Sequence, residues 1–314
     1  MTDGAKIWTL HLLVLAAVFV AQFLLPPYHA TNLARIMVLA VFAMGYNIAF
    51  GYTGLLSLGH ALFFAAGMYG MGLPVWHLGW LSLPALIAGL VAGGALAGVV
   101  GLLALRTAGV SFMIVTLMFA QAGYLTLLYL NTWTGGDEGF VVLSEARVLF
   151  GFDLATDTAR FITAFTLFAA GLLACLLLVR SPFGRVMVAM RENEERSRML
   201  GYDPFRIKLL ALAVSGLYAG LAGAAYGMLF GYVGASFATI QYSILPMLYV
   251  LLGGAGTVLG PFLGALLMFY LIDITSNYTD AYLFVVGAAL VGLVLFAPKG
   301  ILGTLRERVW RWLP

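Results

Sequence analysis

Ten stretches of mostly apolar residues, most of them long enough to cross a lipid bilayer, dominate this chain of 314 residues. A helix needs about 20 apolar residues to cross a hydrocarbon core of about 30 Å, because each residue adds about 1.5 Å. Continuous apolar runs favour helices over the alternating strands of a barrel. The sequence predicts an all-α integral membrane protein, a polytopic bundle of about ten transmembrane helices forming a single domain over residues 1–314. The predicted spans are Ile7–Leu25, Ala34–Phe50, Leu55–Leu73, Leu81–Leu105, Val110–Leu130, Phe161–Val179, Leu209–Phe230, Ile244–Leu252, Phe262–Ile274 and Ala281–Phe296.

Composition excludes several classes of protein. Apolar residues make up 63% of the chain and charged residues 9%, against roughly 45–50% and 25% in soluble proteins. Because so few charges cannot cover a soluble surface, a soluble enzyme, a disordered chain and a nucleic-acid binder are excluded. Cys175 is the one cysteine, which excludes a disulfide framework and a cysteine-based metal site. The first apolar run exceeds the roughly 7–15 residues of a signal-peptide core, so we expect a retained span.

The basic residues indicate the topology. They concentrate in the loop 180–208 and in the C-terminal tail, and both should face the cytoplasm by the positive-inside rule. This requires an even number of crossings between them, hence four. The eighth and ninth spans could also form one kinked helix, so nine spans stay an alternative. With ten spans, the basic residues left outside are Arg35, Arg147 and Arg160, and the loop 131–160 is an outer loop.

A short motif indicates an internal repeat. Phe-Gly-Tyr-x-Gly ends the second span at Phe50–Gly54 and the seventh at Phe230–Gly234. Spans two to five and seven to ten would then be inverted repeats, which are common in transporters, although five residues from this alphabet also match by chance. Glycines at small-xxx-small spacing in the fourth and seventh spans predict close helix packing.

Polar residues interrupt the apolar pattern at two places. The segment Gly51–His60 breaks the sequence between spans two and three, and such a break is tolerated only against protein or a water-filled cavity. Its Ser57 and His60 can form hydrogen bonds, although a lone histidine is more often packed and satisfied than a ligand. The segment Trp133–Gly139 follows the fifth span. It is either a simple turn with solvated acids, a lip of the substrate path or a docking surface.

The cytoplasmic loop carries a candidate docking element. Residues Val186–Leu200 predict a short amphipathic helix, which Gly201 would cap and Pro204 could not continue. A solvated connector is the plain alternative. The apolar side chains that this helix would offer to a partner are Met187, Met190, Met199 and Leu200. Two stabilising i, i+4 pairs are predicted on it, Glu192–Arg196 and Glu194–Arg198.

Several enzymatic and carrier mechanisms find no support in the sequence. It contains no P-loop, no zinc-protease motif and no nucleophile elbow. Coupled carriers usually place carboxylates at mid-depth, but His11 and Asp273 lie near span ends. This argues against a stand-alone carrier and for a substrate path driven by another component. A stand-alone channel or secondary carrier, an intramembrane enzyme and a purely structural subunit are the competing classes.

Six motifs, in order over nearly the whole chain, resemble those of the LivM-type permease subunits of branched-chain amino-acid ABC importers (the HAAT family). They are Gly51–Phe64 (GYTGLLSLGHALFF), Gly109–Gln121 (GVSFMIVTLMFAQ), Trp133–Gly139 (WTGGDEG), Ser181–Phe205 (SPFGRVMVAMRENEERSRMLGYDPF), Leu252–Gly264 (LGGAGTVLGPFLG) and the ending Phe296–Ile301 (FAPKGI). Relatives of this family carry urea or short amides, which therefore stay alternative substrates.

The resemblance implies a permease subunit in the bacterial inner membrane that is not itself an enzyme. The chain would bind no cofactor, since ATP and Mg²⁺ would sit on two partner ABC ATPase subunits. A LivH-type sister permease and a periplasmic substrate-binding protein would be its other protein partners. It would also contact membrane lipid and a small polar substrate, and no nucleic acid. Pairing with a second copy of itself stays open.

The resemblance also carries over functional residues. Glu195–Gly201 corresponds to the family's coupling loop, usually Glu-Ala-Ala-x-x-x-Gly. Here Arg196 and Ser197 replace the two alanines. The residues predicted to couple to the ATPases are Arg191, Glu192, Glu195, Arg198, Gly201, Asp203 and Pro204. The residues predicted to line the translocation path are Thr53, Ser57, His60, Trp133 and Thr134.

Overall fold

The fold is a helical bundle in a computed structural model that describes residues 3–279, 281–297 and 299–308. Its α-helices are α1 (Asp3–Leu24), α2 (Pro27–Asn47), α3 (His60–Leu78), α4 (Ser82–Ala104), α5 (Val110–Tyr129), α6 (Asn131–Thr134), α7 (Asp157–Arg180), α8 (Pro182–Glu192), α9 (Glu194–Met199), α10 (Pro204–Phe230), α11 (Ile240–Gly253), α12 (Gly260–Ser276), α13 (Tyr282–Phe296) and α14 (Gly300–Arg308). Two short antiparallel ladders within these residues pair β1 (Phe140–Val141) with β4 (Tyr232–Val233), and β2 (Val148–Leu149) with β3 (Phe152–Asp153). The predicted all-α class is confirmed.

The helices match the predicted spans. Within the described residues, seven helices are long and apolar enough to cross a membrane: α1, α2 with its continuation to Tyr52, α3, α4, α5, α7 and α10. The shorter apolar helices α11, α12 and α13 occupy the last three predicted positions. Gly254 separates α11 from α12 with a φ of 123°, which an L side chain rarely adopts. The eighth and ninth spans are therefore two helices, not one kinked helix.

Contacts at one end of the bundle agree with the predicted topology. Arg191 from the basic loop donates a hydrogen bond to the carbonyl of Gly51, where α2 has ended. Arg306 from the C-terminal helix α14 donates to the carbonyl of Gly256, between α11 and α12, at 3.1 Å. The basic loop and α14 thus lie at the same end, which we call the basic end.

The opposite end gathers the segments that the same topology assigns to the outside. The Tyr28 hydroxyl donates to the Asp273 carboxylate at 2.7 Å, which joins the start of α2 to α12. Arg160 donates to the carbonyl of Leu229 at 3.1 Å, near the end of α10. This arrangement agrees with an even number of crossings between the basic loop and α14, which stays a prediction.

Close backbone contacts hold α3, α4 and α10 together. A Cβ on Gly67 of α3 would lie 2.1 Å from the carbonyl oxygen of Gly220 in α10. A Cβ on Gly93 of α4 would lie 2.4 Å from the Cα of Gly220. Because lipid supplies no hydrophobic drive for helix association, such close approach contributes van der Waals packing. The close packing predicted from the glycine spacing is confirmed.

The first helix of each half of the chain, α2 or α10, packs against helices of the other half. The helix α10 packs on α3 and α4, and α2 packs in the same way on α11 and α12. This arrangement agrees with the proposed repeat of spans two to five and seven to ten. The repeated pentapeptide nevertheless differs in conformation, because Ile48–Tyr52 continues α2 as a π-turn, whereas Gly231 stops α10 with a φ of 74°.

The polar break between α2 and α3 is closed by protein groups. The N–H groups of Leu58 and Ala61 donate to the hydroxyls of Thr116 in α5 at 3.1 Å and Ser243 in α11 at 2.9 Å. These bonds satisfy backbone donors that lipid could not. The predicted third span began at Leu55, but α3 begins at His60, since residues 53–59 are irregular.

The contact at Gly67 predicts a large difference between two equally small substitutions. Gly67→Ala should destabilise the protein by about 1–3 kcal/mol, because the added methyl meets backbone that cannot move aside. Gly98→Ala in α4 is the matched control, since nothing lies within 4 Å of its Cβ position. Thermal unfolding of both purified variants measures the effect. Equal unfolding temperatures would contradict the proposed role of this contact.

Candidate functional site

An open cleft of about 1070 Å³ lies at the basic end. Three segments line it: residues 53–56 after the π-turn, residues 105–113 around the start of α5, and parts of the loop from Met190 to Lys208. Of the residues predicted for coupling, those that line the cleft are Arg191, Arg198, Gly201, Asp203 and Pro204. The cleft also contains Thr53 from the predicted path, so the two predicted sets meet here.

The loop forms two helices, not the single helix predicted over Val186–Leu200. Asn193 interrupts it in an extended conformation, with φ −157° and ψ 103°. Its side-chain oxygen accepts the backbone N–H of Arg196 at 2.8 Å and so caps the start of α9. The prediction was wrong because this capping signal was overlooked. The predicted Glu192–Arg196 pair is accordingly absent from the described ion pairs, while Glu194 lies 4.0 Å from Arg198.

The apolar side chains of the loop divide into two groups. Met187 and Met190 of α8 are buried against the bundle, so the prediction that they are available to a partner is wrong. Met199 and Leu200 at the end of α9 are 84% and 71% exposed, as predicted. The helix α8 is thus an anchored element, and α9 carries the apolar surface that a partner can reach.

Asp203, Pro204 and Gly201 shape the backbone of the loop. Asp203 caps α10 by accepting the N–H of Phe205 at 3.0 Å, and Pro204 is the first residue of that helix. Gly201 has a φ of 89°, and its N–H donates to the carbonyl of Arg198 at 2.9 Å, which ends α9 as predicted. These three residues therefore orient α9 relative to α10.

The charged side chains of the loop are mostly exposed. Glu195 approaches Arg198 at 3.8 Å, and neither is held firmly, since exposed pairs contribute about 0–1 kcal/mol. Glu192 is exposed at the end of α8 and has no ion-pair partner among the described residues. Glu194 instead binds Lys208 of α10 at 2.6 Å, which ties α9 to that helix.

Arg191 belongs to a connected set of polar contacts inside the basic end. It binds the carbonyl of Gly51, and Gly51 lies against Asn47 of α2. The fully buried Asn47 accepts the N–H of Gly256 and donates to the carbonyl of Thr257, both at 2.9 Å. Arg306 then binds the carbonyl of Gly256. The loop helix α8, the end of α2, the α11–α12 connection and α14 are therefore linked.

The predicted path residues occupy three separate places. Thr53 lies in the cleft and donates to the carbonyl of Ile48 at 2.9 Å. Ser57 is buried and accepts the N–H of Gly59 at 3.1 Å. His60 is fully buried, with its Nε2 2.7 Å from the Ser215 hydroxyl of α10 and its ring packed on Tyr46 at 4.6 Å. The ring is thus packed and hydrogen-bonded through Nε2, while its Nδ1 is buried without a hydrogen-bond partner among the described residues.

Trp133 and Thr134 lie at the opposite end. The Trp133 ring is exposed, and its carbonyl lies 3.1 Å from Nε2 of His77. Thr134 is buried and donates to the carbonyl of Leu127 at 2.6 Å. A smaller cleft of about 630 Å³ adjoins them, lined by residues that include Asp137 and Glu138. The structure therefore does not bring this pair together with Ser57 and His60.

Sequence reasoning missed several residues of the site. Arg106, Glu194, Tyr202 and Lys208 line the cleft, and Asn47 joins α2 to the α11–α12 connection. The signal for Asn47 was available, since a lone amide within an apolar span needs partners. Within residues 3–279, 281–297 and 299–308, no group of three or more His, Cys, Asp or Glu side chains could hold a metal ion.

Comparison with known proteins defines the class of this membrane protein. Residues 29–297 match the model of the family described as branched-chain amino acid transport system / permease component. The high-affinity branched-chain amino acid transport system permease proteins LivM of Salmonella typhimurium (strain LT2) and Escherichia coli (strain K12) are 28% and 29% identical to it. Each alignment covers 98% of this chain and 77% of the relative. The autoinducer 2 import system permease protein LsrC of Photorhabdus laumondii is 32% identical over 38% of each chain.

The chain belongs to this family of branched-chain amino acid transport system permease components. No solved structure matches it. The family and the apolar helices together identify a multi-pass membrane protein, as the sequence motifs predicted. The relatives are transport permease components, which supports a non-enzymatic role.

Proposed function

We propose that this chain is a permease subunit of an ABC importer for branched-chain amino acids. Two ATPase subunits would dock at the basic end, and a sister permease and a periplasmic binding protein would complete the importer. The chain would bind no cofactor, since ATP and Mg²⁺ belong to the ATPases. The observation that carries the proposal is the α9 tip, where Met199 and Leu200 are exposed while α8 behind them is anchored in the bundle.

The proposed mechanism is alternating access driven from the basic end. ATP-driven closure of the ATPases would push on α9, and the anchored α8 would transmit the movement. Arg191 supports this route because it joins α8 to the carbonyl of Gly51 at the end of α2. Among the predicted path residues, Thr53 lies beside this contact, while Ser57, His60, Trp133 and Thr134 remain predictions for other parts of the path.

Importers of urea or short amides, and a stand-alone channel or carrier, are the alternatives to this function. Reconstitution in liposomes separates them. We expect leucine uptake when the chain is assembled with its partner subunits and supplied with ATP, and no uptake by the chain alone. Uptake of urea or acetamide in place of leucine would reassign the substrate, and ATP-independent uptake by the isolated chain would overturn the proposal.

Orientation in the inner membrane is a further part of the proposal, with the basic end in the cytoplasm. In a Cys175→Ser background, Trp133→Cys should react with a membrane-impermeant maleimide on spheroplasts. Arg185→Cys, on exposed α8 surface at the other end, should react only after permeabilisation. Labelling of the Arg185→Cys variant on intact spheroplasts would show that the basic end faces outward. The ATPases could then not dock there, and the proposed orientation would be wrong.

The contact between Arg191 and Gly51 predicts an uncoupled variant. Arg191→Gln should lower leucine uptake per ATP hydrolysed by about tenfold, because it removes a charge-assisted hydrogen bond worth about 1.5–3 kcal/mol. Arg185→Gln is the matched control and should keep normal coupling, because Arg185 is exposed in the same helix and its one described hydrogen bond is local, to the carbonyl of Arg180 at 3.5 Å. Both variants should reach the membrane at wild-type level. Unchanged coupling in Arg191→Gln would remove Arg191 from the proposed route.

A further inference from the structure

Arg35, on α2, is an arginine whose side chain has no polar partner among the described residues. Its guanidinium lies over the ring of Phe230, 5.0 Å from the ring centre, and its Nε is buried without a hydrogen bond. No described residue forms a hydrogen bond or ion pair with its two terminal guanidinium nitrogens. Unlike Nε, these two nitrogens are not fully buried. An arginine in such surroundings retains donors that match a carboxylate in a bidentate geometry.

The neighbouring Arg160 differs in this respect, although it also approaches the Phe230 ring, at 5.9 Å. Its nitrogens bind the carbonyls of Leu229 and Ala155 and the carboxylate of Asp157. Arg160 therefore already provides the cation that stabilises the C-terminal end of α10. Support of that helix end does not account for Arg35.

The third arginine of this end, Arg147, is nine-tenths buried near Gly231. Burial first, and then the charge of Arg160, lower the pKa of its guanidinium, while Asp153 opposes the shift. The Nε of Arg147 is also buried without a hydrogen bond, but Asp153 acts on this arginine, whereas Arg35 forms no ion pair with a carboxylate among the described residues.

Aromatic side chains extend from Arg35 through the ring of Phe230. Tyr226 packs on Phe230 at 4.7 Å, and the half-buried phenols of Tyr226 and Tyr242 form no hydrogen bond with described residues. Phe237 packs between them, 5.3 Å from Tyr226 and 4.8 Å from Tyr242. We call this group the Arg35 cluster; its members are Arg35, Phe64, Tyr226, Phe230, Phe237 and Tyr242.

The cluster lies between the two halves of the bundle. Its residues come from α2 and α3 of the first half, and from α10, α11 and the 3-10 turn Ala235–Ala238 of the second. Transporters built from repeats commonly hold their substrate at the interface between the repeats. The cluster is therefore placed where a movement of one half against the other would open or close it.

We propose that the Arg35 cluster binds an apolar α-amino acid, with Arg35 holding the carboxylate and the aromatic rings contacting the side chain. The free phenols of Tyr226 and Tyr242 add hydrogen-bonding groups, and ring faces attract the substrate ammonium. The inference rests on the proposed permease function and names the part of this chain that touches the substrate. A carboxylate-free amide lacks the group that Arg35 recognises.

Ligand-induced stabilisation tests the cluster directly. The importer is assembled with its partner subunits but without the substrate-binding protein, and its unfolding temperature is measured with L-leucine, L-leucinamide or inorganic phosphate at about 20 mM. A ligand that binds only the folded state raises the unfolding temperature. We expect a rise of about 2 °C with leucine and none with leucinamide or phosphate. Leucinamide tests the need for the carboxylate, and phosphate tests for a general anion or lipid-headgroup site.

Variants assign the effect to Arg35. Arg35→Gln should abolish the rise in unfolding temperature with leucine. Arg35→Lys should keep part of this rise, because lysine keeps the positive charge but cannot bind a carboxylate in a bidentate geometry. Arg180→Gln, an exposed arginine at the end of α7, is the control and should keep the full shift. The proposal is overturned if Arg35→Gln keeps the shift, if leucinamide or phosphate equals leucine, or if leucine has no effect on the wild type. Failure of the permease function itself would appear separately, as absent leucine uptake by the wild-type importer.

Discussion

The backbone contact between α3, α4 and α10 is the constraint on which the remaining arrangement depends. Helices in lipid gain little from burying apolar side chains, since the solvent is equally apolar, so close packing must supply the association energy. Gly67, Gly93 and Gly220 bring three backbones into direct contact. Because α10 is fixed in this way, its C-terminal end contacts Arg160 and contributes to the Arg35 cluster. Near its N-terminal end, Lys208 forms an ion pair with Glu194 of α9. Both candidate sites are thus positioned by the same packed helix.

The second requirement of the lipid environment is that irregular backbone be satisfied inside the protein. The break before α3 meets it with hydroxyls from two other helices, Thr116 and Ser243. The break between α11 and α12 meets it with the amide of Asn47. Each break is therefore closed by side chains of helices distant in sequence. A shift of those helices would expose unsatisfied backbone groups, so the breaks favour movement of whole packed units over local bending.

The long helices could be predicted from sequence because the thickness of the membrane sets their length and apolar content. The placement of the basic loop and α14 at one end could be predicted from the distribution of arginines. Local capping could have corrected the single helix predicted over the loop, since Asn193 followed by two glutamates is a helix-start signal. The burial of Met187 and Met190 could not be predicted, because it depends on how α8 docks. The same holds for His60, whose partner Ser215 lies 155 positions away in the chain. The residues of the Arg35 cluster come from five separate segments, so no local sequence pattern predicts the cluster.

Hydrogen bonds at the basic end connect both halves of the bundle. At the basic end, the loop helix α8 reaches the first half through Gly51, and α14 reaches the second half through Gly256. Asn47 connects these two points with a pair of buried hydrogen bonds. A force applied at α9 would therefore act on both halves together. Under the proposed function, this linkage would carry the push of the ATPases to the interface between the halves, where the Arg35 cluster lies.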